Sequence, residues 1–196
     1  MEIDWDDPEL DEDMRVGLAG FFETKPAYFV HDGSLERGFE VVFHPLEAQQ
    51  ILNMDCVPHF LKFVSRTGCA GTHIHISRGA FRDKEAFLKF LRTTKLVITH
   101  PRYLRKLMLR DLDQRNVRTG RYYFRPIEWD LEEVADKWEV PDRYHWVNIT
   151  DNTVECRFFE EVRTNKQLRT YIKLLEILIE YANSDQTRQE LTEAID

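Results

Sequence analysis

Three stretches of the chain carry ionisable residues in patterns that a sheet would hold rigidly. Residues 72–77, Thr-His-Ile-His-Ile-Ser, alternate strictly, so a strand here puts His73, His75 and Ser77 on one face, the imidazoles roughly 7 Å apart. Residues 153–159, Thr-Val-Glu-Cys-Arg-Phe-Phe, also alternate: Val154, Cys156 and Phe158 share one face, Glu155 and Arg157 the other. Residues 38–43, Gly-Phe-Glu-Val-Val-Phe, put Phe39, Val41 and Phe43 together and Glu40 opposite them. A solvated sheet face more often shows Thr, Lys, Ser and Gln. Carboxylates and imidazoles arriving from several strands are what a divalent cation needs, because each ligand stands on a rigid element. An adjacent arginine suits a phosphate held by the same ion. The plainer alternative is a Glu155–Arg157 surface pair beside two polar strand histidines.

The elements that must position these residues follow from periodicity and turn signals. His31-Asp32-Gly33-Ser34 is a turn in which Gly33 supplies a positive φ, and the strand after it ends at Pro45. Residues 46–65 read as helical, broken at Pro58. Residues 83–95 carry the stripe Ala86, Phe87, Phe90 and Leu91, and Pro101 starts a basic helix that is expected to run to about Arg115. Residues 116–143 read as irregular, with a short acidic helix near Leu131–Lys137. Strands at Tyr144–Ile149 and Thr153–Phe159 are joined by a turn at Thr150-Asp151-Asn152. Residues 165–182 give the clearest helix, with Leu168, Tyr171, Ile172, Leu175, Leu178, Ile179 and Ala182 on one stripe and Thr164 or Asn165 as cap. This order predicts an α+β fold: an antiparallel sheet with helices packed on one face.

The composition of the 196 residues, 42% hydrophobic and 32% charged, excludes a disordered or fibrous protein. No run approaches the roughly 20 apolar residues of a membrane span, and the start is acidic where a signal peptide is basic and then apolar. The default expectation is therefore a cytoplasmic protein with no membrane partner. The net charge of -8 has one source: residues 1–13 carry eight acids and no base, and the remainder balances 27 acids against 27 bases. The organisation expected is an acidic N-terminal segment, residues 1–15, followed by a single domain, residues 16–196. Residues 78–125 hold fourteen Lys/Arg against four Asp/Glu, and residues 126–161 hold three against eleven, which predicts a basic side and an acidic side. Cys56, Cys69 and Cys156 are widely spaced and odd in number, which argues against a disulfide framework or structural zinc. His31, His44, His59, His100 and His145 read as surface or packed residues, and Trp129, Trp138 and Trp146 as core.

The segment from Tyr28 through Asp32-Gly33-Ser34 and Gly38-Phe39-Glu40 to Pro45 resembles the D-G-S … G-F-E … P-L element of the amidoligase family, a branch of the glutamine synthetase-like carboxylate–amine ligases. Cys69-Ala-Gly-Thr-His73-Ile-His75 is similar to its C-G-x-H-V-H strand. Asn148 and Thr153-Val-Glu155-Cys-Arg157-Phe resemble its N-x … T-x-E-F-R ending, with the long helix following. The resemblance covers about residues 28–182. It implies a glutamine synthetase-like catalytic sheet that binds ATP with Mg2+, or Mn2+ in its place, phosphorylates a substrate carboxylate and lets an amine displace the phosphate. The substrates implied are a small-molecule or peptide carboxylate and an amine. Carried over by position, Glu40, His73 and Glu155 are metal ligands, Arg157 contacts the transferred phosphate, and His75 lines the site. Arg118 and Arg121, in a Gly-containing loop, are candidate phosphate contacts beside Arg157. Glu155→Ala or His73→Ala is expected to abolish ATP turnover with the fold intact.

One departure is specific. The family opens with an E-x-E strand, and the upstream match here is Glu2-Ile3-Asp4. Either this is a shortened first strand or the strand is missing. A missing strand would leave a non-catalytic binding protein that keeps the ligase fold, of the kind phages and plasmids encode, or a site completed by an oligomer or a partner chain. A further alternative is an HUH-type nuclease using His73, His75 and Tyr103, since Tyr103-Leu-Arg-Lys106 fits a Y-x-x-K helix. That alternative leaves Glu155 and Arg157 without a role, so nucleic acid is not the expected partner.

Overall fold

Alternation over residues 38–43 produces the central strand of a three-stranded antiparallel sheet. In the computed structural model, which describes residues 2–4, 27–30, 38–54, 57, 61, 71–107, 109, 130–140 and 145–195, this strand, β3 (Gly38–Phe43), lies between β1 (Glu2–Asp4) and β2 (Ala27–Val30). The register sets Glu2 across from Glu40 on one side and Val30 across from Glu40 on the other. A first strand is therefore present over the Glu2-Ile3-Asp4 stretch, and its absence is ruled out. After Pro45 the chain turns into α1 (Ala48–Asn53), where the Glu47 backbone N–H donates to Gln50 Oε1 at 2.8 Å, the return arm of a capping box.

By contact density the chain divides into two compact units, residues 1–72 with 161–169 and residues 73–160 with 170–196. Within the first, Arg169 Nη2 donates to the Leu52 carbonyl at 2.9 Å and the Val162 N–H donates to Thr72 Oγ1 at 3.0 Å, so the 161–169 segment is tied to α1 and to the end of the 1–72 segment.

The second sheet has the order β4 (Thr72–Ser77), β6 (Thr153–Phe159), β5 (Val147–Ile149). The β5–β6 hairpin is antiparallel, with Val147, Asn148 and Ile149 opposite Cys156, Glu155 and Val154. Strand β4 also runs against β6, since His75 meets Thr153 whereas the earlier His73 meets Glu155. Strand β5 is shorter than the Tyr144–Ile149 expected. The molecule is thus a mixed helical and antiparallel-sheet protein of the α+β type.

Helix α2 (Lys84–Thr99) starts at Asp83, whose carboxylate accepts from the Ala86 N–H at 2.8 Å, and it runs one turn beyond the predicted end. It buries Phe87, Phe90, Leu91 and Ile98 completely. Helix α3 (Pro101–Leu107) is shorter than expected: Leu109 already forms an antiparallel bridge with Phe159, so the helix does not reach Arg115. Helix α4 (Leu131–Lys137) lies where the acidic helix was predicted and ends at Trp138, whose φ of 52° is left-handed and uncommon outside glycine. Two contacts hold that conformation: the indole stacks on Phe87 at 4.1 Å, and Arg78 Nη2 donates to the Trp138 carbonyl at 3.0 Å. Helix α5 (Asn165–Asn183) is capped by Thr164, whose hydroxyl accepts from the Gln167 N–H at 3.1 Å. Helix α6 (Arg188–Ile195) was not expected. Its capping box, Thr187 with Glu190, was legible, because the Thr187 N–H donates to Glu190 Oε2 at 2.6 Å and the Glu190 N–H to Thr187 Oγ1 at 3.4 Å.

The core of the second unit is aromatic. Trp146, Phe158, Phe159 and Tyr171 are wholly buried, Phe159 lying between Phe158 at 4.4 Å and Tyr171 at 4.5 Å. At the far end of α5, Asn183 clamps the loop before α2: Nδ2 donates to the Ala80 carbonyl at 2.8 Å and Oδ1 accepts from the Arg82 N–H at 2.7 Å. Asn183→Ala removes both bonds from a half-buried site and should cost about 1–2 kcal/mol, read as a lower urea midpoint at constant m-value. An unchanged midpoint would show that water replaces the clamp.

The basic and acidic stretches meet at one contact: Lys84 and Arg92 of α2 form ion pairs with Asp136 and Glu132 of α4, so the two neutralise each other there. These pairs are exposed and contribute little to stability.

Candidate functional site

The histidines of β4 and the charged residues of β6 converge because the two strands are antiparallel neighbours and the side-chain period is two. His73 Nδ1 lies 2.9 Å from Glu155 Oε1, and the two side chains are only 6% and 11% exposed. Arg157 Nε lies 3.3 Å from the same oxygen, within ion-pair range but out of hydrogen-bond alignment. From β5, Asn148 Nδ2 donates to Glu155 Oε2 at 2.8 Å. His75, exposed, meets Thr153 Oγ1 through Nδ1 at 3.2 Å, and Thr153 Oγ1 lies 2.8 Å from Thr150 Oγ1 in the turn.

Glu155 is the electrostatic centre of this face. Burial alone pushes its carboxyl up. The hydrogen bond from His73, the charge of Arg157, the electrostatic attraction of His73 and the bond from Asn148 outweigh burial and hold it at about 2. It is therefore ionised and an acceptor throughout the physiological range. On the opposite face of β6, burial pushes the Cys156 thiol well up, assisted by the Glu155 charge, so this cysteine is an inert packing residue.

The structure brings together His73, Glu155 and Arg157, with His75 beside them on the same strand. The surface-pair alternative for Glu155 and Arg157 fails on burial. Glu40 is half-buried on β3, in the first unit. Arg118 and Arg121 lie outside the described residues. Tyr103, half-buried on α3, sets its ring 5.0 Å from that of His100. Among the described residues, no group of three or more His, Cys, Asp and Glu side chains is gathered as a metal cage. Of the remaining expectations, His44 and His100 are exposed, His145 and Trp146 are buried, and Trp138 is half-buried. His31, His59, Trp129, Cys56 and Cys69 lie outside the described residues. Asn148 and Thr153, to which the resemblance assigns no role, also belong to this network. Their signal was available: counting back from the Thr150-Asp151-Asn152 turn sets Asn148 directly opposite Glu155.

Fold and site define an α+β protein with a buried ionic network on one face of an antiparallel sheet. No family model, no curated protein and no solved structure matches the chain. Among the described residues, no helix is long and apolar enough to cross a membrane.

Proposed function

We propose that this protein is an ATP- and Mg2+-dependent amidoligase that joins a carboxylate to an amine through an acyl-phosphate, built on a glutamine synthetase-like sheet. The observation that supports this best is the meeting of His73, Glu155 and Arg157 on adjacent strands, the three positions to which the resemblance assigns metal and phosphate roles. The donor types suit a cation, since an ionised carboxylate and an imidazole both ligate divalent ions; at these two atoms the ion would take the place of the proton that His73 Nδ1 directs at Glu155 Oε1. The metal set the resemblance implies also includes Glu40, which stands across from Glu2 in register. When bound, the ion neutralises phosphate oxygens. Arg157 supplies a fixed positive charge for the transferred phosphoryl group, and His75 an imidazole at the open edge of the same face. Arg118 and Arg121 keep their implied role as further phosphate contacts.

Calorimetric titration with ATP, with and without Mg2+, tests the reading. Magnesium-dependent binding is expected, together with hydroxamate formation when hydroxylamine replaces the amine. A folded protein that binds no nucleotide overturns it. One observation favours a second reading, a non-catalytic binding protein on the same fold: both Glu155 oxygens are already engaged by side chains of the chain itself. Nucleotide binding without hydroxamate formation across a panel of carboxylic acids selects that reading. Nicking of single-stranded DNA, lost on Tyr103→Phe, would select the nuclease instead.

A further inference from the structure

Asparagine is depleted in strands because its amide competes for nearby backbone groups. Asn148 nevertheless occupies the middle of β5, the direct cross-strand partner of Glu155. The two Glu155 oxygens divide their partners. Oε1 faces His73 and Arg157, and among the described residues Asn148 is the donor to Oε2. The terminal torsion of a glutamate is broad and roughly two-fold, so contacts to one oxygen leave the carboxylate plane free to rotate. A donor on the second oxygen removes that freedom. The amide does so without adding charge: a lysine here would draw the carboxylate away from His73, and an aspartate would repel it.

We propose that Asn148 is a positioning residue, which holds the Glu155 carboxylate in the plane that meets the His73 imidazole and so sets the geometry in which that pair works. The proposal rests on Glu155 and His73 being the working centre of the ligase. Because an ionised carboxylate only accepts, His73 Nδ1 carries the proton between them, and that proton reports the geometry directly. Its exchange with water is measured by NMR of the ring N–H in the wild type, in Asn148→Leu and in Asn148→Asp. Exchange at least about tenfold faster is expected in Asn148→Leu, the scale of one lost hydrogen bond, and faster still in Asn148→Asp. A merely structural role for Asn148 would lower stability and leave this proton unchanged in the folded molecules. Unchanged exchange in either folded variant overturns the proposal, so the aspartate variant suffices if the leucine variant does not fold. Mn2+ titration of the same samples separates the two claims. Metal affinity reduced about tenfold in the variants supports both positioning and metal binding. A wild type that binds no Mn2+, with the exchange still accelerated in the variants, removes the metal reading and supports the positioning role.

Discussion

Glu155→Ala should lower the unfolding free energy at pH 7 by about 3 kcal/mol or more, as removal of one partner from a buried ion pair does. The residue is 8% exposed, and truncation takes the hydrogen-bond acceptor from His73 and the counter-charge from Arg157, whose side chains are 6% and 13% exposed. This revises the expectation from alternation alone, which placed Glu155 on an open face and left the fold intact without it. The effect carries a pH signature. The folded carboxyl titrates at about 2 against an ordinary value of 4.5, so its contribution is complete above 4.5 and disappears as the pH falls towards 2. Linkage puts that contribution on the order of 3 kcal/mol. Urea unfolding of the wild type and Glu155→Gln should therefore differ at pH 7 and converge between pH 4.5 and 2. A gap that stays constant across this window would show that Glu155 does not hold its proton affinity down in the fold. A difference below about 0.5 kcal/mol at pH 7 would contradict the buried network.

Phe158→Ala should cost about 3–5 kcal/mol, the range for deleting a buried aromatic side chain and leaving a cavity. Phe158 is wholly buried on the opposite face of β6, its ring 6.4 Å from that of Trp146 edge-on and 4.4 Å from that of Phe159. Trp146 is fixed by its carbonyl, which accepts from the Arg157 N–H of β6 at 2.9 Å, and Phe159 by the ring of Tyr171, so the site has little room to collapse. Leu96→Ala provides the contrast: Leu96 is 49% exposed on α2, and its truncation should stay within about 0.5 kcal/mol. Denaturant midpoints of the two variants, at a common m-value, measure the difference. A loss below about 2 kcal/mol in Phe158→Ala would mean that the aromatic cluster repacks around the gap. Unlike Glu155→Gln, Phe158→Ala should keep its deficit at low pH, because no titrating group is involved.

Strand β6 shows how far a sequence can be read. Its alternation assigned Val154, Cys156 and Phe158 to one face and Glu155 and Arg157 to the other, and the β5–β6 register agrees. Local patterns also located β3, β4, α4 and α5, because each sits in a strong period bounded by turn or capping residues. The misses have local causes. The helix from Pro101 was expected to run to about Arg115, but Leu109 is taken up by a bridge to Phe159, a tertiary pairing that helical periodicity does not reveal. The short β1 and β2 are too brief for periodicity to register.

The sequence by itself determined which residues share a face, since a period of two leaves no alternative once a segment is a strand. It also determined the ionisable character of that face and the hairpin count that pairs Asn148 with Glu155. The tertiary structure decided which faces meet and how deeply they are buried. The antiparallel pairing of β4 with β6 turned a listing of His73, Glu155 and Arg157 into a network around one anion. The packing of α2 against α4 likewise brought two bases of one charge block against two acids of the other. The decisive contacts join residues 40 to 82 positions apart, whose energies come from desolvation and distance, and neither quantity is written in local order along the chain.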